Sequence, residues 1–155
     1  MGLGVIIRNN LGQVLASLSE QIQLPFSSDL VEALAAARAI SFAQELNFSN
    51  FILEGDSELV IKALKNNDES LSPFGHILAS AKAITDVNCI SFSHTRRLGN
   101  AVAHNLACKT CHRFGQSGQK WEHRLSLALE FNSKKVGSKD IIQLCSFEIG
   151  RTRRL

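Results

Sequence analysis

The sequence predicts an α/β domain in which helices cover a mixed, partly parallel sheet. Two short runs, 4–8 and 13–22, lie on either side of a turn-forming Asn-Asn-Leu-Gly segment and predict a β-hairpin. Single short apolar runs then alternate with helical segments along the chain. Because strands that are separated by helices tend to pair in parallel, these observations together predict a sheet with a parallel part and a helical cover.

The composition indicates one globular domain. The chain has 155 residues, of which 45% are hydrophobic and 20% are charged. At this length a single core buries roughly 70% of the surface of the unfolded chain. Both fractions are close to globular averages, which argues against a largely disordered protein. No apolar run approaches the roughly 18 residues of a membrane-spanning helix, and the first residues lack the features of a signal peptide. We therefore expect an intracellular protein, not a secreted one, without a membrane partner.

Local residue preferences justify the first three elements. Gly4–Arg8 is rich in β-branched residues, and Gln13–Ile22 alternates in hydrophobicity. Six alanines favour a helix over Asp29–Leu46 and allow it to pack closely on a sheet. Asp29 and Glu32 have the spacing of a capping box, which predicts that Asp29 caps this helix.

The middle of the chain is predicted to alternate between strands and helices. Phe51–Leu53 is an apolar run that leads into Glu-Gly-Asp-Ser, and it predicts a buried strand that presents Asp56 at its carboxyl end. Cys89–Thr95 alternates apolar and polar residues and predicts a second strand. The predicted helices cover Glu58–Lys65, Phe74–Thr85 after Pro73, and Asn100–Phe114.

The remainder of the chain differs in composition. A Gly-, Ser- and Gln-rich segment predicts a linker, so 1–114 is assigned to one domain and 115–155 to a linker and basic C-terminal tail of unknown role. The net charge is −1 over 1–114 and +4 over 134–155. Within the tail, 125–131 is compatible with a short helix and 141–149 with a strand.

The four cysteines include the sequence Cys-Lys-Thr-Cys-His, beginning at Cys108. This pattern attaches haem in exported proteins, but Met1 is the only methionine available as an axial ligand, so no haem is expected. Zinc is a second option because His104, Cys108 and Cys111 share one helix face, yet no second cysteine pair supplies the remaining ligand. Small, half-buried, reduced thiols are the simplest interpretation.

Two acidic residues occupy positions that bear on function. Asp56 follows a buried strand, and ligand sites in open α/β sheets lie beyond the carboxyl ends of parallel strands. The structural alternative is a turn in which Ser57 caps the next helix. Glu32 lies near a helix start, where the helix dipole favours a carboxylate by about 0.3–1 kcal/mol without any functional role.

Four motifs taken in order are more specific than these single residues. They are Gly-Leu-Gly-Val-Ile-Ile-Arg-Asn at 2–9, Val-Glu-Ala-Leu at 31–34, Leu-Glu-Gly-Asp-Ser-Glu-Leu-Val at 53–60, and His-Thr-Arg-Arg-Leu-Gly-Asn-Ala-Val-Ala-His-Asn-Leu-Ala at 94–107. In order and spacing they resemble the type 1 ribonuclease H domain, and most closely its plant reverse-transcriptase-like branch, which is related to retroelement domains. The resemblance covers residues 2–114.

The resemblance implies a ribonuclease H-like, three-layer α/β/α fold around a five-stranded mixed sheet. It also implies that the first central strand, which carries the family's first catalytic aspartate, is absent, because the matched hairpin begins at Gly2. The run 141–149 could fill that place, although nothing in the sequence requires it. The implied activity is endonucleolytic hydrolysis of the RNA strand of an RNA–DNA hybrid with two Mg²⁺ ions.

The resemblance also implies roles for individual residues. Glu32 and Asp56 match catalytic carboxylates that hold the metal, and His104 occupies the place of the family's last carboxylate. Imidazole is a poorer ligand for Mg²⁺ than carboxylate is. We expect the Glu32 and Asp56 side chains to lie within about 10 Å of each other at one edge of the sheet, with His104 nearby.

Further matched residues lie between 87 and 121, a stretch that contains no acidic residue. Arg96 and Arg97 are expected to contact phosphates of the nucleic acid. Asn100 either caps its helix or contacts substrate. His94 corresponds either to a histidine of a mobile loop or, as we favour, to a strand histidine before a shortened loop.

Three functions agree with these features. The first is a hybrid ribonuclease whose activity is impaired by the missing aspartate. The second is a non-catalytic nucleic-acid-binding module, and the third is an inactive, truncated gene product.

Overall fold

The computed structural model describes residues 2–22, 27–66, 74–83, 90–114, 124–127 and 140–147. Six strands and four helices follow one another along these residues. In chain order they are β1 (Gly2–Arg8), β2 (Val14–Gln21), α1 (Ser28–Glu45), β3 (Phe51–Gly55), α2 (Glu58–Lys65), α3 (Gly75–Ala83), β4 (Ile90–His94), α4 (Ala101–Phe114), β5 (Arg124–Leu127) and β6 (Asp140–Phe147). Among the described helices, none has the length and hydropathy needed to cross a membrane.

The predicted hairpin is confirmed, and an asparagine organises its turn. β1 and β2 pair antiparallel. The side-chain oxygen of Asn9 accepts hydrogen bonds from the backbone N–H groups of Leu11 and Gln13, at 3.0 and 2.9 Å. Gly12 adopts a φ of 77°, a conformation that glycine reaches without steric cost. The Asn9 side chain therefore satisfies two backbone N–H groups of the turn.

The predicted first helix is confirmed, but a different residue caps it. The hydroxyl oxygen of Ser27 accepts a hydrogen bond from the N–H group of Leu30, at 3.4 Å. Ser27 has a non-helical ψ of 149°, as a cap residue requires, whereas Asp29 already lies inside the helix. The prediction that Asp29 caps the helix is therefore wrong. Asp29 instead places its charge in the first turn, where the helix dipole favours it.

The sheet is mixed and has six strands in the order β4-β3-β6-β1-β2-β5. β6 lies in its centre, antiparallel to β1 and parallel to β3. β4 continues the parallel part beside β3, and β5 pairs antiparallel with β2. The expected five strands are thus corrected to six, and the central place that the resemblance leaves empty is occupied by β6.

The stretch predicted as a linker and tail supplies two of these strands. β5 overlaps 125–131, which the sequence alone made compatible with a short helix, and β6 overlaps 141–149. The assignment of 115–155 to a linker and tail is corrected for these two segments. The reason is physical: a strand is stabilised by partners that are distant in sequence, and these two find partners in β2, β1 and β3. The rest of 115–155 lies outside the described residues.

Helices cover both faces of the sheet and produce three layers. Leu3, Val5 and Ile7 alternate along β1 and join α1, α2 and α3 in one core cluster. The alternate residue Gly4 faces α4 on the opposite side. The largest fully buried side chains are Phe42, Phe51, Leu3, Ile7, Leu18, Ile40, Leu53, Leu64, Val5 and Val31.

Two contacts hold α4 against the hairpin. A Cβ atom on Gly4 would overlap the carbonyl oxygen of Ala103 and would lie 2.8 Å from the amide nitrogen of Ala107, so the helix and β1 approach closely only because this residue is glycine. The hydroxyl group of Ser19 donates a hydrogen bond to the carbonyl oxygen of Leu106, at 3.2 Å. These contacts fix the position of α4, and with it the position of the residues at its start.

The remaining predicted elements agree with the structure where it describes them. The strand and helix around Asp56 match β3 and α2, and the last predicted helix matches α4. The helix predicted over 74–85 is present as α3, while Pro73 and residues 84–89 lie outside the described residues.

Candidate functional site

Four strands end at the same edge of the sheet. β6, β3 and β4 are mutually parallel, and β2 runs in the same direction because both β2 and β6 are antiparallel to β1. We call this edge, with the residues that directly follow these strands, the carboxyl edge. Asp56 follows β3 here, and the loop 95–100 follows β4. Ligand sites of open α/β sheets form at such an edge.

Asp56 is held in place by side chains from two other elements. The amide nitrogen of Asn100 donates a hydrogen bond to Asp56 Oδ1, at 3.3 Å. His94 Nε2 lies 3.3 Å from the carbonyl oxygen of Asp56, which is hydrogen-bonding distance. His94 is the last residue of β4, which confirms its interpretation as a strand histidine. The carboxylate is thus positioned by the neighbouring strand and by the start of α4.

Asn100 directly precedes α4, and its backbone carbonyl and its side-chain amide bind different partners. Its carbonyl oxygen accepts the first helical bond, from the N–H group of His104 at 3.0 Å. Its side chain is fully buried and donates to Asp56. A buried amide of this kind orients a neighbour, and direct contact of Asn100 with a nucleic acid stays a prediction.

Arg96 and Arg97 lie in the loop that joins β4 to α4, and both are exposed. Their carbonyl oxygens accept hydrogen bonds from the N–H group of Asn100, at 3.2 and 3.1 Å. Within the described part of the chain neither guanidinium group forms an ion pair. The loop backbone is therefore fixed to the helix start while the two charges face solvent.

Glu32 lies on the helix that follows β2. Six residues separate the end of β2 from the start of α1, and Glu32 is the fifth residue of α1. The side chain is 9% exposed and belongs to the buried face of the helix. The position of Glu32 at the same edge as Asp56, with their side chains within about 10 Å of each other, stays a prediction.

His104 lies one turn into α4 and contacts a cysteine. Its Nε2 atom is 3.5 Å from the Sγ atom of Cys108. Burial raises the pKa of the Cys108 thiol, and the positive charge of Arg97 opposes that rise.

Among the described residues there is no group of three or more His, Cys, Asp and Glu side chains that could hold a metal ion. The roles of Glu32, Asp56 and His104 at a metal site stay predictions. Cys111 belongs to the part of α4 whose side chains are not described.

An ion pair between β1 and β3 has no signal in the sequence. Arg8 Nη2 and Glu54 Oε2 lie 3.2 Å apart, although 46 residues separate them. The pair joins β1 to β3 across β6, which lies between those strands. Only the strand order brings these two charges together, so no local motif could have indicated the contact.

A groove lies between α1 and α3. It has a volume of about 370 Å³, and its lining residues are Ala37, Ser41, His76, Ile77, Ser80 and Ala81. No carboxylate lines it, and none of its residues belongs to the carboxyl edge. It is therefore not a candidate for the chemistry of Glu32 and Asp56.

Comparison with known proteins assigns the chain to a family. The family model described as reverse transcriptase-like matches residues 1–110. The chain belongs to the reverse transcriptase-like family. Comparison with curated proteins gives no match.

A solved structure agrees with this family assignment at the level of the fold. The reverse transcriptase-like chain is similar to RNase H1 from the halophilic archaeon Halobacterium salinarum NRC-1, with a TM-score of 0.65 and 23% sequence identity. The match covers 72% of this chain and 86% of that chain. At this identity the similarity establishes the ribonuclease H-like fold alone. The family-matched segment ends before β5 and β6, so the central strand comes from outside it.

Proposed function

We propose that the carboxyl edge binds an RNA–DNA hybrid and that the domain hydrolyses the RNA strand in a metal-dependent but weakened manner. The observation that carries the proposal is the position of Arg96 and Arg97 in the loop that follows β4. Their carbonyl oxygens bind the N–H group of Asn100, and the side chain of Asn100 binds Asp56. Exposed guanidinium groups bind phosphate oxygens through paired N–H groups. The edge thus presents cations for binding next to a carboxylate for chemistry.

Glu32 and Asp56 are the residues that would hold a divalent metal ion. Both offer carboxylate oxygens, which suit a hard cation such as Mg²⁺ better than the imidazole of His104 does. A bound ion of this kind activates water and stabilises the charge that develops on the leaving oxygen. The side-chain amide of Asn100 orients the Asp56 carboxylate. The backbone of Asn100 is fixed in turn by the first helical hydrogen bond of α4, from the N–H group of His104.

The weakened activity follows from the number of ligands. Two metal ions require several converging carboxylates, and the described residues contain no group of three or more candidate ligands. The same observation favours a non-catalytic binding module as the alternative function. Slow cleavage of a hybrid in Mg²⁺ that disappears in Asp56→Asn supports the enzyme, and binding without any cleavage supports the module.

Replacing Arg97 by alanine should weaken binding in a salt-dependent manner. Log K falls with log salt, and each lost phosphate contact makes this negative slope less steep by about 0.9 on duplex DNA. A hybrid duplex should behave similarly. The measurement is fluorescence anisotropy of a labelled hybrid over a salt series. We expect Arg96→Ala to add a similar loss in the double variant.

Lys65→Ala is the matched control for this experiment. Lys65 is also an exposed cation, but it lies at the end of α2 that is distant from Asp56, since α2 begins two residues after Asp56 and runs for eight. Its removal should leave the slope unchanged. Equal slopes for the wild type and Arg97→Ala, or an equal loss in Lys65→Ala, would remove the loop from the interface.

A further inference from the structure

Two large apolar side chains are exposed where the loop after β4 enters α4. Leu98 is 92% exposed, and Val102 is 54% exposed. Among the described residues, no other large apolar side chain is as exposed as Leu98. Single exposed apolar residues are ordinary on a protein surface, whereas apolar residues that are grouped beside polar ones mark a binding surface. The question is therefore whether these two residues form a group.

The two side chains lie on the same side of one helical winding. The N–H group of Asn100 donates a hydrogen bond to the carbonyl oxygen of Arg96, at 3.2 Å, which is the spacing of an α-helical bond. The loop therefore already winds as a turn ahead of α4. Residues four apart in such a winding are neighbours, with about 5–6 Å between their Cβ atoms. Leu98 and Val102 thus form one group, which we call the loop patch.

The backbone that carries Leu98 is held on both sides. The N–H group of Thr95 donates to the carbonyl oxygen of Gly55, at 3.0 Å, and ties the loop to the end of β3. The N–H group of Gly99 donates to the carbonyl oxygen of Arg96, at 2.8 Å, and closes the turn around Leu98. Withdrawal of Leu98 into the core would break these bonds, so this side chain leaves water when a bound partner covers it.

The charges around the loop patch favour a polyanion as that partner. Arg96 and Arg97 directly precede the patch, and both are exposed. The stretch 87–121, which contains the patch, has no acidic residue. A neutral or basic protein surface would leave the two guanidinium groups without counter-charges, whereas a nucleic acid supplies phosphate oxygens to them.

A hybrid duplex offers an apolar surface close to its phosphates. In the A-form geometry that such duplexes adopt, the minor groove is wide and shallow and displays sugars and base edges. Proteins that bind minor grooves combine basic side chains with apolar ones, leucine included. Adjacent Cα atoms are about 3.8 Å apart, so Leu98 comes close to the groove when Arg97 holds a phosphate at its rim.

We propose that Leu98 and Val102 pack against sugars and base edges in the minor groove of the hybrid, while Arg96 and Arg97 hold the phosphates beside it. This inference rests on the proposed function and adds to it an apolar contact that responds to the shape of the duplex. Loss of an apolar contact lowers affinity without changing the number of neutralised phosphates. The loop patch and the arginines therefore differ in their effect on the salt dependence of binding.

The hairpin provides a matched control pair. Leu11 and Val14 are also exposed, at 77% and 47%. Leu11 lies in the hairpin turn, and Val14 is the first residue of β2, whose other end is at the carboxyl edge. With a rise of about 3.3 Å per residue, this eight-residue strand places the pair roughly 23 Å from that edge. The two pairs thus have the same chemistry at opposite edges of the sheet.

The test measures binding of a labelled RNA–DNA hybrid by fluorescence anisotropy over a salt series. The double variant Leu98→Ala/Val102→Ala should bind about tenfold more weakly, with an unchanged slope of log K against log salt. The double variant Leu11→Ala/Val14→Ala should bind as the wild type does. Leu98→Met keeps the apolar volume and should retain most of the affinity. Circular dichroism and thermal unfolding check that every variant keeps the wild-type fold.

The outcomes separate this inference from the proposed function. Wild-type affinity in the loop-patch variant, an equal loss in the hairpin variant, or an equal loss in Leu98→Met overturns the inference. A changed oligomeric state in analytical ultracentrifugation without any loss of hybrid affinity also overturns it, and assigns the patch to a protein contact. If Arg97→Ala still makes the salt slope less steep in these cases, the proposed function stands without the inference. A wild-type chain that does not bind the hybrid overturns both.

Discussion

Ile142→Pro should abolish cooperative unfolding of the domain. Ile142 lies inside β6, opposite Ile7 of β1 and Leu53 of β3. Proline has no N–H group and is excluded from central strands, so the substitution removes a ladder hydrogen bond and disturbs the pairing on both sides. Each buried partner that loses its bond costs about 1–3 kcal/mol, and the typical total stability of a domain is about 5–15 kcal/mol.

Ile142→Val provides the matched control for this prediction. It keeps the N–H group and the β-branched shape, and Ile-to-Val changes cost about 0.5–1.5 kcal/mol even in a well-packed core. Thermal unfolding followed by circular dichroism measures both variants. Cooperative melting of Ile142→Pro near the wild-type temperature would show that β1 and β3 do not depend on β6, which would contradict the strand order.

Gly4→Ala has the second-largest expected effect, because it forces β1 and α4 apart. The added methyl group would overlap the carbonyl oxygen of Ala103 and approach the amide nitrogen of Ala107, and backbone atoms cannot rotate away as a side chain can. Overpacking of this kind costs typically 1–3 kcal/mol, and more where the backbone must move. Urea unfolding should show that loss as a lower midpoint.

The second consequence of Gly4→Ala concerns the site. A displaced α4 moves Asn100 away from Asp56, so hybrid binding should weaken even under conditions in which the variant is folded. Gly99→Ala is the comparison: its Cβ would lie 2.8 Å from the Thr95 hydroxyl oxygen, which can rotate, so a smaller loss of stability is expected. A Gly4→Ala variant as stable as the wild type would mean that α4 does not pack against β1 at this distance.

The sequence predicts the local elements well and the sheet centre poorly. β3, α2 and α4 follow from short apolar runs and helix-forming residues whose signals are contained within each element. β6 is different, because its identity as the central strand depends on pairing with β1 and β3, which lie more than 80 residues away in sequence. Local preference makes 141–149 compatible with a strand but contains no information on its partners.

The sequence likewise predicts some features of the candidate site and not others. The position of Asp56 after a buried strand indicates function from the sequence, as does its place among four ordered motifs. The bond between Asn100 and Asp56 could not be predicted, because a helix cap and a contact across the sheet require the same residue type. The burial of Asn100 and the choice of Ser27 over Asp29 as a cap are likewise decided by backbone conformation rather than by residue type.

The most direct test of this account is an NMR titration of the ¹⁵N-labelled chain with a short RNA–DNA hybrid. We expect the largest shifts at the carboxyl edge, for the amides of Asp56 and Ser57 and of the loop from Thr95 to Asn100, and we expect them to decrease with rising salt. The groove between α1 and α3 should remain unperturbed. Shifts confined to that groove, or a hybrid that leaves the Asp56 and Arg97 amides unchanged at saturating concentration, would contradict the assignment of the carboxyl edge as the nucleic-acid-binding site.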